Sequence, residues 1–137
     1  MSYLCKFSKE IIWSEKMKFT IQGRLNSLNE YIKACRGNVY SANNMKKRNQ
    51  KAIREAVRVA KLMPIDKYPI SLKITWYEPN SRRDIDNVQF ATKFILDAMV
   101  EMQIIKNDSQ KYVSEISHTV TVDKENPRIE VEIIERS

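Results

Sequence analysis

The chain has 137 residues, 42% of them hydrophobic, with 2 Gly, 4 Pro and a net charge of +7. This length makes one ordinary domain with one core, residues 1–137, and the composition excludes a disordered chain. The basic balance favours a polyanionic partner, and no apolar run approaches the ~20 residues of a membrane span. Met1–Glu10 also lacks the apolar core of a secretory signal, so a soluble, cytoplasmic protein is expected.

In chain order, residues 1–16 form a possible N-terminal extension, whose Ile11, Ile12 and Trp13 suit either an edge strand or a dimer contact. Met17–Gly23 alternates apolar and polar residues, as a strand does. Arg24–Asn44, polar and rich in Asn, reads as a long ordered loop. Met45–Met63 reads as a helix that stops at Pro64. Tyr68–Pro79 reads as a strand with Leu72, Ile74 and Trp76 on one face. Asp86–Gln103 is a second helix, with Val88, Ala91, Ile95, Ala98, Met102 and Ile105 as its buried face. Lys111–Val122 and Arg128–Ile134 complete the series as strands on either side of the turn Asp123–Pro127. The order β-α-β-α-β-β predicts an α+β fold, with two helices packed on a mixed sheet.

Cys5 and Cys35 are isolated, without the paired spacing of a zinc site, and read as thiols in a reducing compartment. His118 is the sole histidine, which removes Ser/His and Cys/His nucleophilic schemes. Catalysis in such a chain would rest on carboxylates, lysines or a metal.

Within Met45–Met63 stand seven Lys/Arg and a single acid, Glu55. At about 100° per residue, Lys47, Lys51, Arg54, Arg58 and Lys61 share a sector of roughly 80°. Ala52, Ile53, Ala56, Ala60 and Met63 lie on the other side. Solvated faces usually mix signs at i,i+4, and like charges there cost a few tenths of a kcal/mol per pair. A one-sign stripe is what a phosphate backbone would offset.

Ser81–Asn87 holds two carboxylates, Asp84 and Asp86, two residues apart where a strand meets a helix. In extended backbone both would point the same way, and two carboxylates at one place invite a hard divalent cation. Arg82 and Arg83 beside them could hold a phosphate. A plainer reading makes Asp86 a helix cap, with Gln89 completing a capping box. On a straight helix Lys93 and Asp97 lie within about 20° of Asp86, so Lys93 either approaches what Asp86 binds or pairs with Asp97 at the surface. Asp108, in Lys106–Ser109, reads plainly as a turn residue.

Taken together these residues resemble the RusA family of Holliday junction resolvases. The resemblance is carried by a strand ending in Pro79, then Arg82-Arg83-Asp84-Ile85-Asp86-Asn87, then a helix with Lys93 and Leu96-Asp97-Ala98, then Asn107-Asp108. More loosely, Ser27–Tyr31 with Arg36, Gly37 and Tyr40 is similar to the family's N-terminal loop, which adds Asn29 and Arg36 to the DNA-binding candidates. The resemblance implies a homodimeric, Mg²⁺-dependent endodeoxyribonuclease, with Mn²⁺ as a possible substitute and no small-molecule cofactor. Its substrate would be branched DNA, the four-way junction of recombination and repair. It implies Asp84, Asp86 and Asp108 as metal ligands and Lys93 as the essential lysine. Two departures stand out: Phe90 occupies the place where some members carry the lysine, and Asn107 stands for the first Asp of a usual pair.

Two other functions fit parts of this pattern. A non-catalytic nucleic-acid-binding module of the same fold would use the basic helix and leave the aspartates as caps and turns. A membrane-surface protein is disfavoured, because the basic helix has a thin, alanine-rich apolar face without Trp or Phe.

Overall fold

Alternating residues in Lys18–Gln22 place Phe19 and Ile21 inward, at 2% and 1% exposure, and this segment is β1 of the computed structural model, which describes residues 17–135. The Ile11–Trp13 reading and Cys5 lie outside the described residues; Cys35 is free and exposed. Helices α1 (Leu28–Gly37) and α2 (Val39–Ala60) follow, then β2 (Ile70–Glu78), short α3 (Ile85–Gln89), α4 (Thr92–Glu101), β3 (Val113–Val122) and β4 (Arg128–Glu135). The fold is α+β, as expected, and the four strands form one mixed sheet in the order β1-β4-β2-β3. β4 runs antiparallel to both β1 and β2, whereas β2 and β3 are parallel.

The expected loop Arg24–Asn44 is instead mostly helical. Ser27 caps α1 by a reciprocal capping box, its hydroxyl accepting from the Glu30 amide while the Glu30 carboxylate accepts from the Ser27 amide. Asn38 then caps α2 by accepting from the Ser41 amide at 2.8 Å. The apolar periodicity that reveals helices is missing here because the first turns of α2 stand off the core, with Val39 and Tyr40 over 70% exposed, at 73% and 77%. Helix α2 therefore begins earlier than Met45, and it ends before Met63 at Lys61, whose left-handed φ of 56° closes it. Ala52 and Met63, expected on the apolar side, are exposed; Ile53, Ala56 and Val57 make the inner face with Met45, Asn49 and Gln50.

The second expected helix is broken at Phe90–Ala91, where Ala91 N–H bonds Val88 O and Lys93 N–H bonds Phe90 O, both tightened i→i−3 contacts. Val88, Ala91, Ile95, Ala98 and Ile105 are buried as expected; Met102 is only half-buried, and Phe94 and Met99 fill the core instead. From the sheet, Leu72, Ile74 and Trp76 meet Ile129, Val131 and Ile133 on the helix-covered side. Each such side chain contributes about 1.5–3 kcal/mol by leaving water.

Two features of the sheet position the site. Because β3 is parallel to β2, the chain leaves the upper end of β2 at Glu78 and must return to the lower end before β3 can start. The α3–α4 segment makes that return, and Ile70 N–H donates to Tyr112 O at the lower rim. The two edges of the sheet also differ: β1 has five residues, while β3 has ten and, from Ile116 to Val122, no Lys, Arg, Asp or Glu. The helices cover β1, β4 and β2 but leave Ile116, His118 and Val120 of β3 half-exposed and Val122 52% exposed.

Candidate active site

At the upper rim the chain turns from β2 into α3 through Pro79–Asp84. Asn80 accepts the Arg82 amide at 3.0 Å, a local turn that leaves the Arg82 side chain exposed. Arg83 points inward. Its guanidinium donates to Glu30 Oε1 at 2.6 Å and Leu25 O at 3.3 Å, and lies 3.9 Å from the buried Glu78 carboxylate. Glu78 also accepts from Arg24 at 2.7 Å. Burial works to raise the Glu30 pKa, but the Ser27 amide and the Arg83 charge outweigh it and the net shift is downward. The Leu25–Ser27 segment under Arg83 is itself fixed, since Asn26 and Asn49 exchange bonds of 2.9 and 2.8 Å.

Asp84, not Asp86, takes the N-cap position of α3, and its carbonyl accepts from the Asn87 and Val88 amides. Its carboxylate makes no capping bond, so the capping-box reading of Asp86 with Gln89 is overturned. Both carboxylates are exposed and, among the described residues, neither has a hydrogen bond or ion pair. Asn87 Oδ1 accepts the Asn29 amide at 3.0 Å, which sets the exposed Asn29 beside the aspartates. Arg36 is also exposed, in the last turn of α1.

Asp108 sits elsewhere. It precedes β3 at the lower rim, and β2, nine residues long, spans roughly 30 Å between the rims. The turn is made by Asn107, whose side chain accepts the Asp108 and Ser109 amides, so Asp108 is exposed with its carboxylate free among the described residues. No group of three or more His, Cys, Asp or Glu stands close enough to hold a metal ion among the described residues. An apolar groove of about 610 Å³ near Met17, Leu62, Met63 and Ile133 contains none of these aspartates.

A family model for endodeoxyribonuclease RusA matches residues 13–134. The chain belongs to the RusA family. No curated protein matches it. Membership implies nuclease activity of the Holliday junction resolvase type, and at the upper rim the Arg83–Asn87 segment is tied to α1 through the Arg83–Glu30 and Asn87–Asn29 contacts.

The remaining candidates of this RusA-family chain divide by partner. Lys93 is exposed and unpaired among the described residues; the alternative pairing with Asp97 is absent because Asp97 is half-buried against α2 and meets Lys46 at 3.6 Å. On α2, Lys47 and Lys51 are exposed without an ion pair among the described residues. Arg58 reaches Glu55 and Arg54 reaches Glu101, each at a long 3.5 Å. Exposed pairs of that length hold little energy, so a phosphate could displace either acid. Lys61 lies at the lower end, past the helix. Glu30, Glu78, Arg24 and Asn87 were not foreseen as site residues, although Ser27-x-x-Glu30 is a legible capping signal. No helix among the described residues is long and apolar enough to cross a membrane.

Proposed function

We propose that this protein is a Mg²⁺-dependent endonuclease that binds and cleaves four-way DNA junctions as a homodimer, in recombination and repair. The observation that carries the reading is the pair of exposed, unpartnered carboxylates of Asp84 and Asp86, held at a strand–helix junction by the part-buried Arg83–Glu30 pair in a RusA-family chain. Carboxylates kept out of the capping bonds open to them are available as ligands, and an all-oxygen set suits Mg²⁺, or Mn²⁺ in its place. The ligands would be Asp84, Asp86 and Asp108. A divalent cation held by these carboxylates would make a bound water easier to deprotonate and would neutralise charge on the phosphoryl oxygens.

Placement of Asp108 at the opposite rim supports the dimer. β3 has a bulge at Ser114 and one acid, Glu115, near its start, but from Ile116 to Val122 it is an uncharged, regularly paired edge, the kind that monomeric proteins protect with charges, bulges or covering elements. Two copies paired antiparallel along β3 about a two-fold axis form one continuous sheet. In that arrangement Asp108 of the partner subunit comes to the upper rim beside Asp84 and Asp86. A four-way junction presents two equivalent strands, and two such sites match it.

The chain's other groups then have distinct tasks. Lys47, Lys51 and Arg58 bind the phosphate backbone, and Arg54 joins them when it leaves Glu101. Arg82 and Asn29 flank the scissile phosphate. Lys93 directs its ammonium at a phosphoryl or leaving oxygen, where charge develops. Binding and cleavage of a synthetic four-way junction, with Mg²⁺, Mn²⁺ or no metal, tests the reading. Cleavage should need metal, and Asp86→Asn should abolish it while junction binding stays within a few-fold. Tight binding without cleavage under any metal would favour the non-catalytic module instead.

A further inference from the structure

Glu78 is the last residue of β2, and its side chain is only 5% exposed. A buried carboxylate persists where cations and hydrogen bonds compensate it, and here the compensation comes from two arginines on different segments. Arg24, just after β1, donates at 2.7 Å, and Arg83, just before Asp84, approaches to 3.9 Å. Arg83 is 18% exposed and makes its shorter contacts with Glu30 and Leu25 O. Glu78 therefore lies behind the arginine that ties the aspartate segment to the α1 platform.

We infer that Glu78 is a positioning residue for Asp84 and Asp86 and acts through Arg83. Its charge balances two guanidiniums that otherwise face each other in a poorly solvated space with Glu30 alone to neutralise them. Without that charge Arg83 turns outward to water. The Pro79–Asp84 turn then loses its inner anchor, and the first turn of α3, closed by the Asn87 and Val88 amides on Asp84 O, opens more often. Misplacing reacting groups by about 1 Å can cost ~10²-fold in rate, so a loosened segment is felt in cleavage before it is felt in binding. This inference rests on the reading of Asp84 and Asp86 as the reaction's carboxylates, but part of its test does not.

The test is Glu78→Gln in the full chain, read by amide hydrogen exchange and by cleavage. The Asn87 and Val88 amides should exchange about 10-fold faster while those of Leu72 and Ile74 in mid-β2 keep their protection. Single-turnover cleavage should fall by ~10-fold or more with junction affinity within about 3-fold. The double variant Glu78→Gln with Arg83→Gln should cleave no worse than Arg83→Gln alone, since both changes act on one link. Unchanged exchange at Asn87 and Val88, or effects that simply add, would overturn the inference. Should Glu78→Gln fail to fold, Glu78→Asp keeps the charge but withdraws it, and must still speed exchange at those two amides. Retained cleavage in Asp86→Asn would instead sink the functional reading and leave the exchange result to judge Glu78.

Discussion

Asp84 occupies a position where a carboxylate ordinarily stabilises a helix by about 0.5–2 kcal/mol, yet its side chain makes no capping bond. Lys93 likewise forgoes the i,i+4 pairing open to it, because Asp97 is drawn to Lys46 on α2. Neither group adds to folding through a contact among the described residues, which separates its structural contribution from a catalytic one. We expect Lys93→Ala to leave the melting temperature nearly unchanged, since an exposed and unpaired lysine holds under ~1 kcal/mol. The same change should lower single-turnover cleavage by ~10²-fold or more, because a donor aimed at developing charge contributes about 3–4 kcal/mol to the barrier. A normal rate in that variant would return Lys93 to an ordinary surface residue. At this scale the sequence was legible in type and spacing but not in pairing. Neighbours along the chain suggested Lys93–Asp97, and a helix distant in sequence took Asp97 away.

Helix α2 shows what a charge stripe does when its helix packs on one side only. Arg54 is drawn toward Glu101 of α4, whereas Lys47, Lys51 and Arg58 keep to the outer face. Replacing those three by Ala should weaken binding to every DNA sequence alike and flatten the log K against log[salt] slope by up to about three units. An unchanged slope would mean that DNA runs elsewhere. β3 offers a second test, through its one histidine. Trp76 Nε1–H donates to His118 Nδ1 at 3.0 Å, so that nitrogen must be unprotonated, and burial lowers the His118 pKa below its ordinary 6.5. The folded chain then takes up this proton less readily than the unfolded one. Stability is full above the unfolded pKa of about 6.5 and declines as pH falls from there through the folded pKa. Thermal melts from pH 7.5 down to about 5.5 should show that loss, and His118→Gln should flatten the profile; an equal slope in both proteins would exclude the histidine. Elements were legible where they bury a face, as in β2 and α4. Helix α1 and the first half of α2 were not, since their Asn and Ser caps read equally well as loop residues when no apolar stripe accompanies them.

The arrangement of the whole molecule decides which of the three aspartates can meet. Asp84, Asp86 and Asp108 lie on one short stretch of sequence, which by itself suggests one local site. Parallel pairing of β2 with β3 defeats it, because a parallel crossover must carry the chain from the upper rim to the lower before β3 begins. Only the strand order, which depends on contacts between distant segments, contains that information. If the sites are completed across a β3–β3 dimer, Asp86 and Asp108 of one chain serve different sites, and mixed dimers separate the two geometries. Asp86→Asn alone and Asp108→Asn alone should each be inactive, since every site in either homodimer lacks one ligand. In a mixed dimer one site loses both ligands and the other keeps all three. Co-refolding the two inactive proteins in equal amounts should therefore restore cleavage to about a quarter of the wild-type number of sites, as half the dimers are mixed and each has one intact site. If each chain instead assembled its own site, every site in the mixture would still lack a ligand and no activity would return. Nicking of one strand, rather than paired cuts across the junction, should mark the restored activity, because a mixed dimer has one working site for two equivalent strands.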